Sequence, residues 1–394
     1  MPECDPKQPA PVALAEVCAR HGAAFLRRHG ARLSPAMWRA WRAITACRTP
    51  AMGARVYRCQ GCGKGHCAYH SCRHRLCPKC GGREAAEWTA RQQEKLLPVP
   101  YFMITMTLPS ELRASFGREE AFWYDAFFTA GAGVLTETAA EPKHLGVQPG
   151  FMGILHTWTR DLAYHPHLHF VMPGGGLRAV RTAGRPGTGK AGGGHWQWKG
   201  VPQPDFLFPV RLLSVRLRRA MQAHVRAERP DLYGDIPEFV WRQAWVVHVQ
   251  PAGSGSAVLK YLARYVSRSA LGPGAIVSDD ERGVTYRYTE SGTGETKYQT
   301  LPADAFLLRV LRHALPRGFR RIRYYGWLHP AARRRFLRVQ TLLCVKLYLG
   351  ERPAPESGPP PCPHCGGVLS LLASHRPRGP PRPLPPPLPS PSIP

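Results

Sequence analysis

The 394-residue chain has few acidic residues and no long apolar run. Lysine and arginine total 54 against 26 aspartates and glutamates, so the formal net charge is +28. No apolar stretch reaches the roughly 18 residues of a membrane span, and an N-terminus with proline and cysteine is not expected to be a signal peptide. A membrane protein is therefore not expected. The excess of cations favours a polyanionic partner, most simply nucleic acid, although GC-rich coding bias could supply part of it.

A nucleotide-driven motor is not expected either. Residues 184–190 imitate a phosphate-binding loop, but Ala191 stands where such a loop needs the serine or threonine that binds magnesium. No apolar strand leads into this segment, so we expect no use of ATP. The surrounding glycine-rich stretch, 173–204, is predicted to be a mobile insertion.

Six of the twelve cysteines lie within residues 59–80. Such clustering is typical of metal ligation in a reducing cytosol and not of a disulfide framework. Cys59 and Cys62 form one Cys-x-x-Cys pair, and Cys77 and Cys80 form another fourteen residues later. Four thiolates can close a tetrahedral structural site, so we predict one zinc ion held by these four cysteines. Surplus ligands in the segment could replace one of the four or hold a second zinc: Cys67, Cys72, His66, His70 and His74.

Basic residues interleave with the cysteine pairs, and Arg73, Arg75 and Lys79 are predicted to contact nucleic acid. This pattern suits a DNA-recognition module whose fold depends on its metal. The residues before it show helical apolar spacing, with Ser34 as the N-cap of a second helix. We therefore predict a loose segment at 1–10, followed by a helical, zinc-binding domain at 11–97.

The sequence His-Pro-His-Leu-His at residues 165–169 is predicted to lie on a strand. Side chains alternate along a strand, so His167 and His169 share a face with their Cα atoms roughly 6.6 Å apart, close enough to chelate one metal ion. His165 is about 13 Å from His169 by the same rise, too far to join them. The alternative is a solvent-facing strand edge with no ligand.

A third metal ligand is predicted from strand pairing. Phe151–Trp158 and Tyr164–Met172 form a predicted antiparallel hairpin over a turn near residue 160. Pairing His156 opposite His167 or His169 places its ring on the same face, so His156 is the candidate. A purely structural role for this histidine is the alternative.

Two stretches further along combine tyrosines with cations. Tyr261 and Tyr265 lie one turn apart on a predicted helix, so they share a face. Such a pair is more often core packing, but beside a histidine metal site it becomes a candidate for catalysis. The cations near it are predicted to contact nucleic acid: Lys260, Arg264 and Arg268.

The second stretch is Phe319–Gly326, which alternates cations with aromatic residues. This pattern is typical of contact with a DNA backbone combined with stacking on unpaired bases. Arg321, Arg323 and Tyr324 are accordingly predicted to contact nucleic acid. Cys362 and Cys365 form half a zinc knuckle with no obvious partner pair, and the proline-rich tail after them is predicted to be disordered or polyproline-like.

Together and in this order, the motifs resemble the rolling-circle transposases of bacterial insertion sequences, the two-tyrosine branch of the His-hydrophobic-His (HUH) endonucleases. The likeness covers most of residues 15–350 and rests on four parts of the sequence: Ser71–Cys80, Leu155–Trp158 with His165–His169, Lys260–Tyr265 and Arg321–Gly326.

The resemblance implies an α+β fold. A central antiparallel sheet, with helices on one side, would present the histidines on a strand and the tyrosines on a nearby helix, after a helical zinc-binding domain. It also implies an HUH catalytic domain at 98–350 and leaves 351–394 to the half knuckle and the tail.

The resemblance further implies single-strand cleavage and rejoining at the ends of a mobile DNA element, without ATP, in the bacterial cytoplasm at the nucleoid. Tyr261 and Tyr265 would become joined to the 5′-phosphate, while His167, His169 and His156 hold magnesium or manganese. One alternative is a plasmid replication initiator or relaxase, against which the zinc knuckles and the double tyrosine argue. The other is a non-catalytic, zinc-dependent DNA-binding derivative.

Overall fold

The computed structural model describes residues 12–181, 194–253, 255–256, 270–290, 293–348 and 361–375. These residues form nine α-helices: α1 Leu14–His29, α2 Pro35–Ala46, α3 Gly81–Gln93, α4 Arg113–Arg118, α5 Glu120–Ala140, α6 Val210–Glu228, α7 Pro230–Gly234, α8 Ala303–Leu311 and α9 Arg333–Leu342. They form thirteen strands: β1 Ala54–Cys59, β2 Gly65–Tyr69, β3 Tyr101–Thr107, β4 Gly150–Trp158, β5 Tyr164–Pro173, β6 Gly175–Arg181, β7 Gly194–Gly200, β8 Val246–Pro251, β9 Ile276–Asp280, β10 Gly283–Thr289, β11 Thr296–Leu301, β12 Ile322–Gly326 and β13 Leu369–His375.

A five-stranded antiparallel sheet lies at the centre, in the order β12-β4-β5-β3-β8. One face carries large apolar side chains such as Phe102, Leu168 and Phe170, all fully buried. Helices α5 and α6 cover this face. The predicted α+β class with a central antiparallel sheet is confirmed.

The two covering helices differ in pattern because they differ in burial. In α6 the buried side chains Leu213, Leu217, Met221 and Val225 recur every four residues and form one apolar stripe along the helix. Helix α5 is apolar almost all round and is buried on most of its surface. On the opposite face of the sheet, Trp88 of α3 packs in a small apolar cluster with Met152, Ile154 and Val171.

Glycines allow α5 to approach the sheet closely. A Cβ added at Gly131 of α5 would lie 2.9 Å from the ring of Phe170, and one at Gly153 of β4 would lie 2.6 Å from the same ring. Gly153 is also the direct register partner of Phe170. The aromatic ring of β5 is therefore clamped between a helix glycine and a strand glycine.

The N-terminal helices pack against a later part of the chain. Ser34 caps α2, as predicted, by accepting a hydrogen bond from the backbone N–H of Met37 at 3.3 Å. Residues of α1 and α2 share one core with α8 and with the sheet of β9, β10 and β11. At the same interface an ion pair joins Arg20 to Asp279 at 2.8 Å, and Nε2 of His21 is hydrogen-bonded to Asp279 at 2.7 Å.

Two other small sheets bear on the predictions. Strands β6 and β7 pair with each other, so the prediction of a mobile insertion is wrong at both ends of residues 173–204, and residues 182–193 lie outside the described part. Strand β13 pairs with β1, which itself pairs with β2, so the C-terminal segment returns to the cysteine-rich region. In the part of the chain that the structure describes, no helix is long and apolar enough to cross a membrane.

The glycine clamp generates a stability prediction with a control on the same helix. Gly131→Ala should destabilise the protein by about 1–3 kcal/mol, because the added methyl overpacks against the buried ring of Phe170. Gly133→Ala is the control, because a Cβ added at Gly133 has no atom outside its own helix within 4 Å. It should leave stability unchanged or raise it by about 0.5–1 kcal/mol, because alanine is the better helix former. Urea unfolding of the two variants measures the difference, and equal stabilities would contradict the clamp.

Candidate active site and metal centres

Three histidines meet on the face of the central sheet opposite α5 and α6. His156 of β4 lies directly across from His167 of β5, and His169 follows two residues later on the same face. One ring nitrogen from each of the three lies within 4.8 Å of the others. The ring centroids are 4.6–5.2 Å apart. The register therefore brings together the three predicted ligands of one divalent ion.

Hydrogen bonds at the Nδ1 atoms orient two of these rings. His167 donates from Nδ1 to its neighbour's carbonyl, that of His165, at 2.7 Å. Nδ1 of His169 is hydrogen-bonded to the hydroxyl of Thr105 on β3 at 2.9 Å. A metal-binding histidine usually engages its second nitrogen in this way, which fixes both tautomer and ring orientation. With Nδ1 engaged in this way, Nε2 is the nitrogen of both residues that would serve as a metal ligand.

The histidine site favours neutral imidazoles. Burial lowers the pKa of His167 to about 4. Burial and the neighbouring His167 lower the pKa of His169 to about 3. The pKa of the fully buried His156 is also well below its ordinary value, because of burial and then of the two other histidines and Arg321. All three rings are therefore uncharged at pH 7, the form that binds a metal ion.

The cysteines form two groups, and the predicted grouping is wrong. Cys77 and Cys80 group with Cys47 and Cys72, whereas Cys59 and Cys62 group with Cys362 and Cys365. The two Cys-x-x-Cys pairs belong to different groups because they lie on different elements. Cys59 and Cys62 lie at the tip of the β1–β2 hairpin, whereas Cys80 directly precedes α3 and Cys47 follows the end of α2.

The sulfur distances fit zinc in both groups. Zn–S bonds of about 2.3 Å in a tetrahedron place sulfurs about 3.8 Å apart. In the first group, the Cys47–Cys80, Cys72–Cys80 and Cys47–Cys77 separations are 3.5, 3.6 and 3.7 Å. Cys72 was foreseen as a possible ligand, whereas Cys47 belongs to no spacing motif that could have revealed it.

Three of the residues predicted to contact DNA have partners within the protein. Arg75 donates to the carbonyl of His313 at 2.6 Å, and burial, then the charge of Arg321, lowers its pKa to about 9. Arg323 donates to Asp125 and lies 4.3 Å from the ring centre of Phe128.

Tyr324 is the third of these residues. It is partly buried and packs in the same apolar cluster as Trp88, and the ammonium group of Lys95 lies 5.7 Å from its ring centre. Burial raises the pKa of its hydroxyl, although a hydrogen bond with Trp88 opposes the shift. Its ring therefore contributes to packing within the protein.

The other predicted contacts have different outcomes. Arg73 and Lys79 are exposed beside the first cysteine group. Arg321 lies near the histidine site, where its charge contributes to the low pKa of His156. The predicted nucleophiles and the cations around them lie outside the described residues: Tyr261, Tyr265, Lys260, Arg264 and Arg268.

Two transposase family models match this chain, one in its N-terminal part and one in its central part. A family model described as "Putative transposase" matches residues 150–335, and another described as "Transposase zinc-binding domain" matches residues 17–108. A protein of Sinorhizobium fredii printed as "Putative transposase y4qJ" is 35% identical over 333 residues, 80% of each chain. The transposase for insertion sequence element IS801 of Pseudomonas savastanoi pv. phaseolicola is 28% identical over 299 residues, 72% of this chain and 68% of the relative. No solved structure matches the chain.

The histidine geometry predicts a graded series of Mn²⁺ affinities. His167→Ala removes a predicted ligand and should weaken binding by at least about 100-fold. This is more than is usually lost when a group that only hydrogen-bonds to a ligand is removed. Thr105→Val removes the hydroxyl that is hydrogen-bonded to His169 and should weaken Mn²⁺ binding about 10-fold. His165→Ala is the control, because its ring lies outside the ligand group and its carbonyl remains. Calorimetric titration of the three variants tests this order, and equal losses in all three would refute it.

The low pKa values predict how metal binding responds to pH. Protons compete with the ion only as the pH approaches the pKa of the imidazoles, about 4 for His167 and about 3 for His169. Mn²⁺ affinity should therefore stay nearly constant from pH 8 to pH 6 and fall only below about pH 5, whereas ordinary histidines would lose it near pH 6.5. Titrations across this range, with circular dichroism to confirm folding, decide between the two profiles.

Proposed function

This chain belongs to the IS91-type insertion-sequence transposases, and we propose that it cuts and rejoins single DNA strands through a phosphotyrosine intermediate. Transposases of this family are DNA-cleaving enzymes, which accounts for the strongly basic composition. The observation that supports the finer proposal is the group of three closely spaced imidazoles on the central sheet, in a chain that also carries the Tyr261-x3-Tyr265 motif.

His156, His167 and His169 would hold the catalytic ion, with magnesium or manganese proposed and manganese better suited to imidazole. When bound, such an ion polarises the scissile phosphate and stabilises the charge that develops on its oxygens. The histidines would remain neutral while the phosphate is cleaved, because burial disfavours their protonated forms. Arg321 would add a permanent positive charge close to the same phosphate.

The proposed nucleophile is a tyrosine hydroxyl. Its ordinary pKa is near 10, so it attacks poorly unless the phosphate is polarised or its proton is removed. Attack of the tyrosine oxygen on phosphorus forms the phosphotyrosine ester and breaks the bond to the 3′-oxygen. The tyrosine proton is released, and the 3′-oxygen leaves as a hydroxyl. Because one phosphate ester replaces another, the strand can be rejoined by the reverse attack without ATP.

Two tyrosines would permit two successive cleavages on one enzyme. The first would bind the element's strand covalently, and the second would open the target before the first is released. Exposed cations of the zinc module, among them Arg73 and Lys79, are proposed to bind the DNA backbone, as expected for contacts that tolerate many sequences.

This division of labour predicts the behaviour of the tyrosine variants. Tyr261→Phe and Tyr265→Phe should each still form a covalent adduct on a one-site single-stranded oligonucleotide, since residues four apart on the helix predicted from the sequence would share a face. The double variant should form none. Strand transfer between two sites should fail in both single variants, because the second cleavage then lacks its nucleophile. Mass spectrometry of the adduct peptide identifies the modified residue.

The controls separate chemistry from binding. His167→Ala with His169→Ala should abolish adduct formation but keep most of the single-strand affinity, because that affinity rests on backbone cations. An equal loss of both would assign the histidines a structural role. An adduct found at only one tyrosine, whatever the substrate, would contradict alternation. A double tyrosine variant that still forms the adduct would overturn the proposed nucleophiles.

A further inference from the structure

The second cysteine group joins the two ends of the described chain. Cys59 and Cys62 come from the β1–β2 hairpin, whereas Cys362 and Cys365 immediately precede β13. The latter pair lies beyond both segments that match family models, which end at residues 108 and 335. The sulfurs meet across the chain, with Cys59 3.4 Å from Cys365 and Cys62 3.8 Å from Cys362.

The two halves of this group have the same local backbone. Each is a Cys-x-x-Cys-Gly sequence, and each final glycine adopts a positive φ, +71° at Gly63 and +73° at Gly366. The N–H of Gly63 donates to the carbonyl of Cys59 at 3.0 Å, and the N–H of Gly366 donates to that of Cys362 at 2.8 Å. Two knuckles of one shape thus face each other, as the two halves of a closed tetrahedral thiolate site do.

Neighbouring residues complete the cradle. A Cβ at Gly367 would lie 3.2 Å from the sulfurs of both Cys59 and Cys365, so a side chain there would crowd the ligands. Nε2 of His66 lies 3.3 Å from the sulfur of Cys362, so its ring can hydrogen-bond to this cysteine and hold it in place.

Packing alone offers little to hold this unit together. The apolar cluster beneath the three strands consists of Tyr57, Cys59, Cys362 and Leu369. Most of β13 is exposed, including Leu371 at 54% and Leu372 at 58%. A sheet so small and so open needs another source of folding free energy, and a structural metal is one that small modules use.

We propose that Cys59, Cys62, Cys362 and Cys365 bind a second zinc ion, which closes a zinc ribbon from chain segments about 300 residues apart. The ion is of the thiophilic, tetrahedral class, because all four ligands are thiolates. The segment 361–375 is then part of the N-terminal zinc module and not a separate tail.

Zinc stoichiometry of the full-length protein tests the proposal. Imidazole also binds zinc, so every protein is made with His167→Ala to keep the ion out of the histidine site. The parent should carry two zinc ions per chain, one for each cysteine group. Cys362→Ser with Cys365→Ser should reduce this to one. Cys67→Ser with Cys344→Ser is the control, because these two exposed cysteines belong to neither group, and it should keep both ions. Two zinc ions per chain in the Cys362/Cys365 variant, as in the parent, would overturn the proposal.

A second measurement covers the case in which that variant fails to fold. In the zinc-loaded protein without serine substitutions, alkylation followed by peptide mass spectrometry should label the exposed Cys67 and Cys344 rapidly and Cys362 and Cys365 slowly. Cys365 is itself exposed, so its protection would have to come from the metal. Chelation should make Cys362 and Cys365 as reactive as Cys67. Equal labelling of Cys365 and Cys67 before chelation would refute the second site.

Discussion

The grouping of His156, His167 and His169 depends on the antiparallel register between β4 and β5. Side chains alternate across a sheet, so a slip of one residue would turn His167 and His169 toward the helices and expose Leu168 and Phe170. The apolar side of the sheet prevents the slip, because Phe170 lies opposite Gly153 and is clamped from above by Gly131. Packing on one face therefore fixes the metal-binding geometry on the other.

The cysteine module is connected to the same strands. Arg75, which lies between two cysteines of the first group, donates to the carbonyl of His313. The ring of His313 is hydrogen-bonded to the hydroxyl of Thr157, the residue next to His156. Because structural zinc contributes folding free energy directly, the metal-dependent fold of the module supports the strand that carries one of the three imidazoles. The cysteine module and the strand that carries His156 are thus joined through the hydrogen bonds of His313.

The sequence allowed the histidine site to be predicted well, because it depends on local rules. Period-two alternation and a short hairpin are enough to place His156 opposite His167. The cysteine partners could not be predicted in the same way. Cys59 and Cys62 find their partners about 300 residues away, and spacing alone suited the wrong pair of knuckles. A contact so distant in sequence is set by the tertiary fold.

The role of the basic and aromatic stretch, Phe319–Gly326, could not be assigned from the sequence for a different reason. Alternating cations and aromatics suit contact with unpaired bases, but the same side chains also satisfy one another inside a protein. Arg323 does so with Phe128 and Asp125, and Tyr324 does so in the cluster around Trp88. The pattern identifies the residue types but not the partner, and only burial distinguishes the two outcomes.

The central claim is that three imidazoles on the sheet hold the ion at which a DNA phosphate is cleaved. The most direct test is a crystal structure of the Tyr261→Phe/Tyr265→Phe protein with manganese and a single-stranded oligonucleotide from the end of its element. The account predicts an anomalous manganese peak within bonding distance of His156, His167 and His169 and of one phosphate oxygen. A peak elsewhere, or a strand that binds without bringing a phosphate to this peak, would contradict it.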